Sequence, residues 1–314
     1  MKTILVPTDF SDHALFALKV AASIAKKINA KINLVHNNTM PSEGYSNTYY
    51  YEDMNKEIKV MKKKQLDNLV CQDFLKNIDV KKYILSNMKM WKIVTNKRFK
   101  NVDLIVMGSH GTSGLSEIFI GSNTEKVVRL ANSPVLTIKS ELKDFNINTM
   151  VFASNFYGES YAVFNKIKFF ADFYNAHIDL LKVITLKDFE PTPVSRKLME
   201  DFAKKFKLSN YTINIYNAPS IEKGITDFSN EINADLIAIE THGRTGIAHL
   251  INGSLAEDVV KHEDRPVLSI KIKDIPANIS GLRWYLEKIE EIGSELKVSS
   301  SGIKNKHYPK FAII

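Results

Sequence analysis

The chain has 314 residues, 44% of them hydrophobic and 25% charged, a balance that supplies apolar surface for sizeable cores and argues against global disorder. That length suits two domains of roughly 100 to 200 residues better than one. The net charge of +8 is spread over many helical segments with no recognisable nucleic-acid module, and no apolar run approaches the roughly 20 residues of a membrane span, so neither nucleic acid nor membrane is an expected partner.

Residues 3–6 (TILV) predict a short buried strand ending at Pro7-Thr8-Asp9. This start lacks the long apolar core of a signal peptide, and the expected location is the cytoplasm. Ser11 is a good N-cap for a helix whose apolar face is Ala14, Leu15, Leu18, Ala21, Ala22, Ala25 and Ile28. Residues 31–36 (KINLVH) form the next strand, and the polar, tyrosine-bearing stretch 37–51 reads as a long loop. A helix follows over about 52–77, then a strand over 80–85 and a helix over about 89–99. The single cysteine, Cys71, cannot make an intrachain disulfide, fits a reducing compartment and reads as a small buried residue on a helix.

The most informative stretch is Leu104 to Ile138. Its apolar run from Leu104 to Met107 does not alternate, as in a strand buried on both faces of a parallel sheet. A loop with Gly108, Gly111 and Gly114 follows, then a helix opened by Gly121-Ser122 and running over Asn123 to Leu130, and a last strand over Pro134 to Ile138. The glycines therefore lie at a strand's carboxyl end, where open α/β sheets bind ligands. Gly108 lets backbone approach a phosphate, Gly111 permits a positive φ, and the helix start with the Ser122 hydroxyl is an anion site. The competing reading is a plain glycine-rich turn with Ser122 as N-cap.

The second half repeats the first. Leu236 to Lys271 lies on Leu104 to Lys139 without a gap, Met150 to Phe156 on Ile4 to Phe10, and Ile178 to Ile184 on Ile32 to Asn38. Alternation of β and α throughout predicts parallel sheets with right-handed crossovers. At the site the copies differ: Glu240 stands where the first has Gly108, and Asn155 where it has Asp9. Gly243, Gly253 and Ser254 survive. A carboxylate beside a phosphate costs Coulomb repulsion and fills space, so the second site is expected to be degenerate.

Gly108-x2-Gly111-x9-Gly121-Ser122, together with the opening IL-V-PTDFS, resembles the signature of the nucleotide-binding branch of the universal stress protein family, over about residues 1–140 and more weakly 147–273. The resemblance implies an α/β fold of two tandem Rossmann-like (adenine nucleotide alpha hydrolase-like) domains. Each would be a five-stranded, mainly parallel sheet flanked by helices, packed as an intrachain pseudo-dimer. The expected units are residues 1–142, 147–274 with the degenerate motif, and a C-terminal extension 275–314. The resemblance implies ATP or another adenine nucleotide, with or without magnesium, on Pro7, Thr8, Asp9, Asn37, Met107, Gly108, Gly111, Gly121, Ser122, Asn123 and Thr124. Asp9 matches the position near ribose and phosphates, and otherwise would help Ser11 cap its helix. Asn37 matches the backbone that holds adenine, where the family commonly has an apolar residue.

His36, His110 and His242 lack metal-ligand spacing, no nucleophile and base pairing is recognisable, and no Gly-Lys-Ser/Thr follows the glycines. The expected function is a stress-response sensor or partner-binding module acting on an unknown protein partner. A slow ATP-hydrolysing enzyme and a nucleotide-free scaffold are the alternatives. Homodimerisation through edge strands at Pro134–Ile138 and Pro266–Ile270 stays open. After Lys273 the repeat is exhausted; Leu282, Tyr285, Leu286, Ile289 and Ile292 predict an amphipathic helix over 281–297, before a Ser-rich linker at 299–302.

Overall fold

The computed structural model describes residues 1–38, 48–109, 122–242, 254–272 and 287–292, without the side chains of 48–55, 122, 242 and 254–257. The first half runs β1 (Thr3–Thr8), α1 (Asp12–Ile28), β2 (Lys31–Asn38), α2 (Thr48–Val70), β3 (Val80–Ser86), α3 (Met90–Val94), β4 (Leu104–Gly108), α4 (Ser122–Leu130) and β5 (Val135–Ile138). The second runs β6 (Thr149–Ala153), α5 (Ser160–Tyr174), β7 (His177–Ile184), α6 (Thr192–Lys205), β8 (Tyr211–Asn217), α7 (Ile221–Glu231), β9 (Leu236–His242), α8 (Ser254–His262) and β10 (Val267–Ile272).

All ten strands form one sheet in the order β3-β2-β1-β4-β5-β10-β9-β6-β7-β8. Pairing is parallel within each half, as the alternation predicts, and antiparallel only where β5 meets β10, with Leu136 opposite Leu268. The Pro134–Ile138 and Pro266–Ile270 strands are therefore not edges: each is the other's partner at the centre of the sheet, and the edges are β3 and β8. Burial explains the choice. All four β5 residues are buried, whereas β3 exposes Lys81, Lys82 and Ser86.

Alternating side chains load both faces. Ile4 and Val6 point to the side covered by α1, α2 and α5, while Leu5 points to the side of α4, α7 and α8. On each face the buried side chains form one cluster that draws on both halves, so the two repeats share their cores. Local signals agree with this frame. Ser11 Oγ accepts the amide of Ala14 at 3.3 Å, the expected N-cap. Asn29 and Asn175 end α1 and α5 in the left-handed region, which asparagine tolerates well.

Several boundaries differ from expectation. Asn37 and Asn38 belong to β2, and α2 already starts at Thr48, so the proposed loop 37–51 loses both ends; residues 39–47 lie outside the described residues. α2 stops at Val70, and Cys71 is exposed in the following turn rather than buried on the helix. The helix expected over 89–99 is only Met90–Val94 with a 3-10 turn at Lys97–Phe99, because Asn96 caps a new turn through Arg98 N–H (2.9 Å). Of the tail, residues 287–292 are helical; Lys288 pairs with Asp201 on α6 at 3.1 Å, and Ile292 is 1% exposed. The tail thus docks on the second half over these residues. Among the described residues no helix is long and apolar enough to cross a membrane.

Candidate functional site

In the order 3-2-1-4-5 the strand order switches between the parallel neighbours β1 and β4, the place beyond whose carboxyl ends open α/β sheets hold ligands. Residues named from the sequence gather there. Pro7 and Thr8 end β1, Asp9 follows, Asn37 is the second-last residue of β2, and Met107-Gly108 end β4. Ser122, Asn123 and Thr124 form the first turn of α4. Gly111, Gly121 and His110, with Gly243 and Gly253 of the second copy, lie outside the described residues. Ser254 is the first residue of α8.

Several of these side chains carry structural bonds. Asp9 Oδ1 accepts from the Ser11 amide at 3.1 Å and the Ser11 hydroxyl at 2.6 Å, so the acid orients the serine that caps α1. Thr8 Oγ1 accepts the amide of Phe10, which sits at φ 68° and turns the chain from strand to helix. Asn37 forms a two-way bond with the backbone of Met88, Nδ2 to carbonyl at 2.5 Å and amide to Oδ1 at 3.3 Å. Its backbone thereby gains a fixed neighbour. Met107 is buried in the core. The Thr124 hydroxyl donates to the Gly108 carbonyl at 3.1 Å and pins the start of α4 against the end of β4.

Gly108 has a different neighbour from the one its sequence context predicts. A Cβ there would stand 2.8 Å from the backbone carbonyl of His13 on α1. Its smallness serves helix-to-strand approach, whatever else it serves. His13 in turn donates from Nδ1 to the Lys139 carbonyl at 2.8 Å. His36 donates from Nδ1 to the Thr8 carbonyl at 2.8 Å, and its buried Nε2 meets no hydrogen-bond donor among the described residues. Burial holds the imidazole below its ordinary pKa, against the Thr8 bond, with Lys62 lowering and Asp9 raising it.

The second copy builds the same corner differently. Phe156 repeats the positive φ of Phe10, and Ser154 Oγ accepts its amide as Thr8 does in the first. Glu240, buried, accepts from Ser154 Oγ at 3.0 Å and Ser160 Oγ at 2.7 Å. Its carboxylate turns towards the start of α5, a placement the repeat alone did not reveal. Lys182, in the position of His36, pairs with Glu190 at 2.6 Å with both side chains at most 5% exposed. Nothing in spacing or periodicity pointed to that pair; the signal available was a lysine inside an otherwise apolar strand, IDLLKVI. Burial lowers the Lys182 pKa and Glu190 opposes it. A cavity of about 270 Å³ opens beside it. Among the described residues no group of three or more His, Cys, Asp or Glu side chains could hold a metal.

Known proteins share this arrangement. A model described as the universal stress protein family matches residues 1–139 and again 147–271. Universal stress protein MJ0531 of Methanocaldococcus jannaschii is 31% identical over 144 residues, covering 46% of this chain and 85% of the relative. Universal stress protein MJ0577 of the same organism is 30% identical over 153 residues, covering 44% and 94%. The crystal structure of a universal stress protein from Archaeoglobus fulgidus superposes with a TM-score of 0.68, covering 86% of this chain and 98% of that one at 19% identity, a likeness of fold. With two matches that account for both copies of the repeat, the chain belongs to the universal stress protein family as a tandem pair of its domains.

Proposed function

We propose that the first unit, residues 1–142, binds ATP or another adenine nucleotide, with or without magnesium, and that the second, 147–274, does not. Occupancy would make the chain a stress-response sensor or partner-binding module, provided nucleotide favours one of its states over another. The observation that carries this reading is the contrast at the switch point. In the first copy Asp9 and Gly108 stand beside the first turn of α4 with no carboxylate in the Gly108 position, whereas in the second a buried carboxylate, Glu240, bonded to Ser154 and Ser160, occupies it. The α4 amides suit a phosphate, and Asp9 suits the ribose hydroxyls or a bound metal.

The test uses the whole chain, because the halves share their cores. Small molecules released on denaturing freshly purified protein are identified by mass, beside a Gly121→Asp, Ser122→Ala variant. Adenine nucleotide equimolar with the chain, and its loss in the variant, is expected. No nucleotide on the wild type, together with no binding of added ATP, overturns the proposal.

A further inference from the structure

The cavity of the second half lies at the carboxyl ends of β6, β7 and β9, with Leu181, Val183, Ile221, Ile225 and Ile239 as its apolar walls. At about 270 Å³ it is near the lower end of ligand pockets, on the order of 300 Å³. Its buried charged pair, Lys182 and Glu190, is already committed to itself. An ammonium has three hydrogens. Lys182 directs its own to Glu190 Oε2 at 2.6 Å and the Asn155 carbonyl at 3.0 Å, and its Nζ also sits over the Tyr157 ring at 4.8 Å. Ser195 donates to the same Glu190 oxygen as a buried anchor, and the Tyr157 hydroxyl donates to Oε1 at 3.4 Å. The one buried cation is thus spent, while Glu240 and Asp188 on the lining add negative charge. An anionic ligand would meet carboxylates inside the cavity and only one further ammonium, that of Lys187, which is exposed to water where charge attraction is screened.

What remains on offer is apolar wall and one amide. Asn155 Oδ1 accepts from the Tyr157 amide at 2.9 Å, which leaves Nδ2 as a donor. At the mouth, the Asp188 amide donates to Thr185 Oγ1 and that hydroxyl donates back to Asp188 Oδ2, both at 3.2 Å, in a turn that holds Phe189 76% exposed on the cavity rim. An aromatic ring kept in water beside an apolar cavity is a surface for a ligand to cover. We propose that this cavity is a binding site for a small, uncharged, mainly apolar molecule with one hydrogen-bond acceptor. Asn155 Nδ2 meets the acceptor and Phe189 closes over the apolar body. The site is independent of nucleotide in the first half.

Prodan, a neutral naphthalene ketone whose emission shifts blue in apolar surroundings, is the probe. Titrated into the full chain, it should saturate, and excess ATP should leave the signal unchanged. Ile225→Trp, which fills the cavity, should weaken binding at least about tenfold. Phe189→Ala, a change at an exposed position that leaves the fold intact, should weaken it several-fold, whether or not the tryptophan variant folds. Unsaturable emission, or affinity unchanged in Phe189→Ala and in folded Ile225→Trp, overturns the proposal. So does displacement of the probe by ATP, which would make the cavity a nucleotide site.

Discussion

Replacing Gly108 with alanine should destabilise the protein even when no nucleotide is present. The added Cβ would lie 2.8 Å from the carbonyl carbon and oxygen of His13 and 2.9 Å from its Cβ. These atoms cannot swing aside as a side-chain tip can. The first turn of α1 is held by the Ser11 cap and by the His13 bond to the Lys139 carbonyl. Forcing a methyl into such a contact costs towards the upper end of overpacking, about 2–3 kcal/mol. For a body of this size that lowers the melting temperature by about 4–10 °C. Thermal unfolding followed by far-UV circular dichroism on nucleotide-stripped protein gives the value. An unchanged melting temperature would refute the packing argument and return the glycine to a purely ligand-facing role. The second half shows why a side chain is tolerated at the equivalent place. α5 starts at Ser160, whereas the position equivalent to the start of α1 is Gly158, and that delayed start makes room for Glu240 to reach Ser160.

Lys182→Met should leave Glu190 as a buried, uncompensated charge and cost about 3–5 kcal/mol in urea unfolding, while Lys182→Met with Glu190→Leu should recover most of it. Leu268→Ala, opposite Leu136 at the centre of the sheet, should lose about 2–5 kcal/mol, read from the urea midpoint at constant slope. His36 has its pKa lowered by folding, so its contribution is complete above the ordinary histidine value of about 6.5 and is lost as pH falls below it. The melting temperature of His36→Leu should therefore fall less steeply than that of the wild type between about pH 7 and pH 5.

Much of this architecture is readable from residues alone. Continuous apolar runs such as LIVM mark strands buried on both faces, and the gapless alignment of 236–271 on 104–139 predicts a second copy of the same unit. Ser11 announces its helix because capping is local chemistry. What escaped is non-local. Val135–Ile138 and Val267–Ile272 read as strands, yet their mutual pairing depends on which apolar faces remain uncovered after each half has folded. The tyrosines at 49–51 read as loop because no capping residue or period set them off, and helix α2 absorbed them. At the site, the letter Glu240 signalled a lost phosphate position, but the serine hydroxyls that receive it come from another element. The partnership of Lys182 with Glu190 arises from a loop folding back over a strand end, which no spacing rule anticipates.

The antiparallel join of β5 and β10 also fixes where the two crevices face. Every strand of the first half points its carboxyl end one way, and every strand of the second points the opposite way. The strand ends that carry Asp9 and Gly108 and the cavity of the second half therefore lie toward opposite ends of the sheet's strands. A molecule bound at one end would be felt at the other through the ten-stranded sheet between them. If both proposed sites are filled, their ligands do not compete for space, and each can be removed by mutation without touching the other.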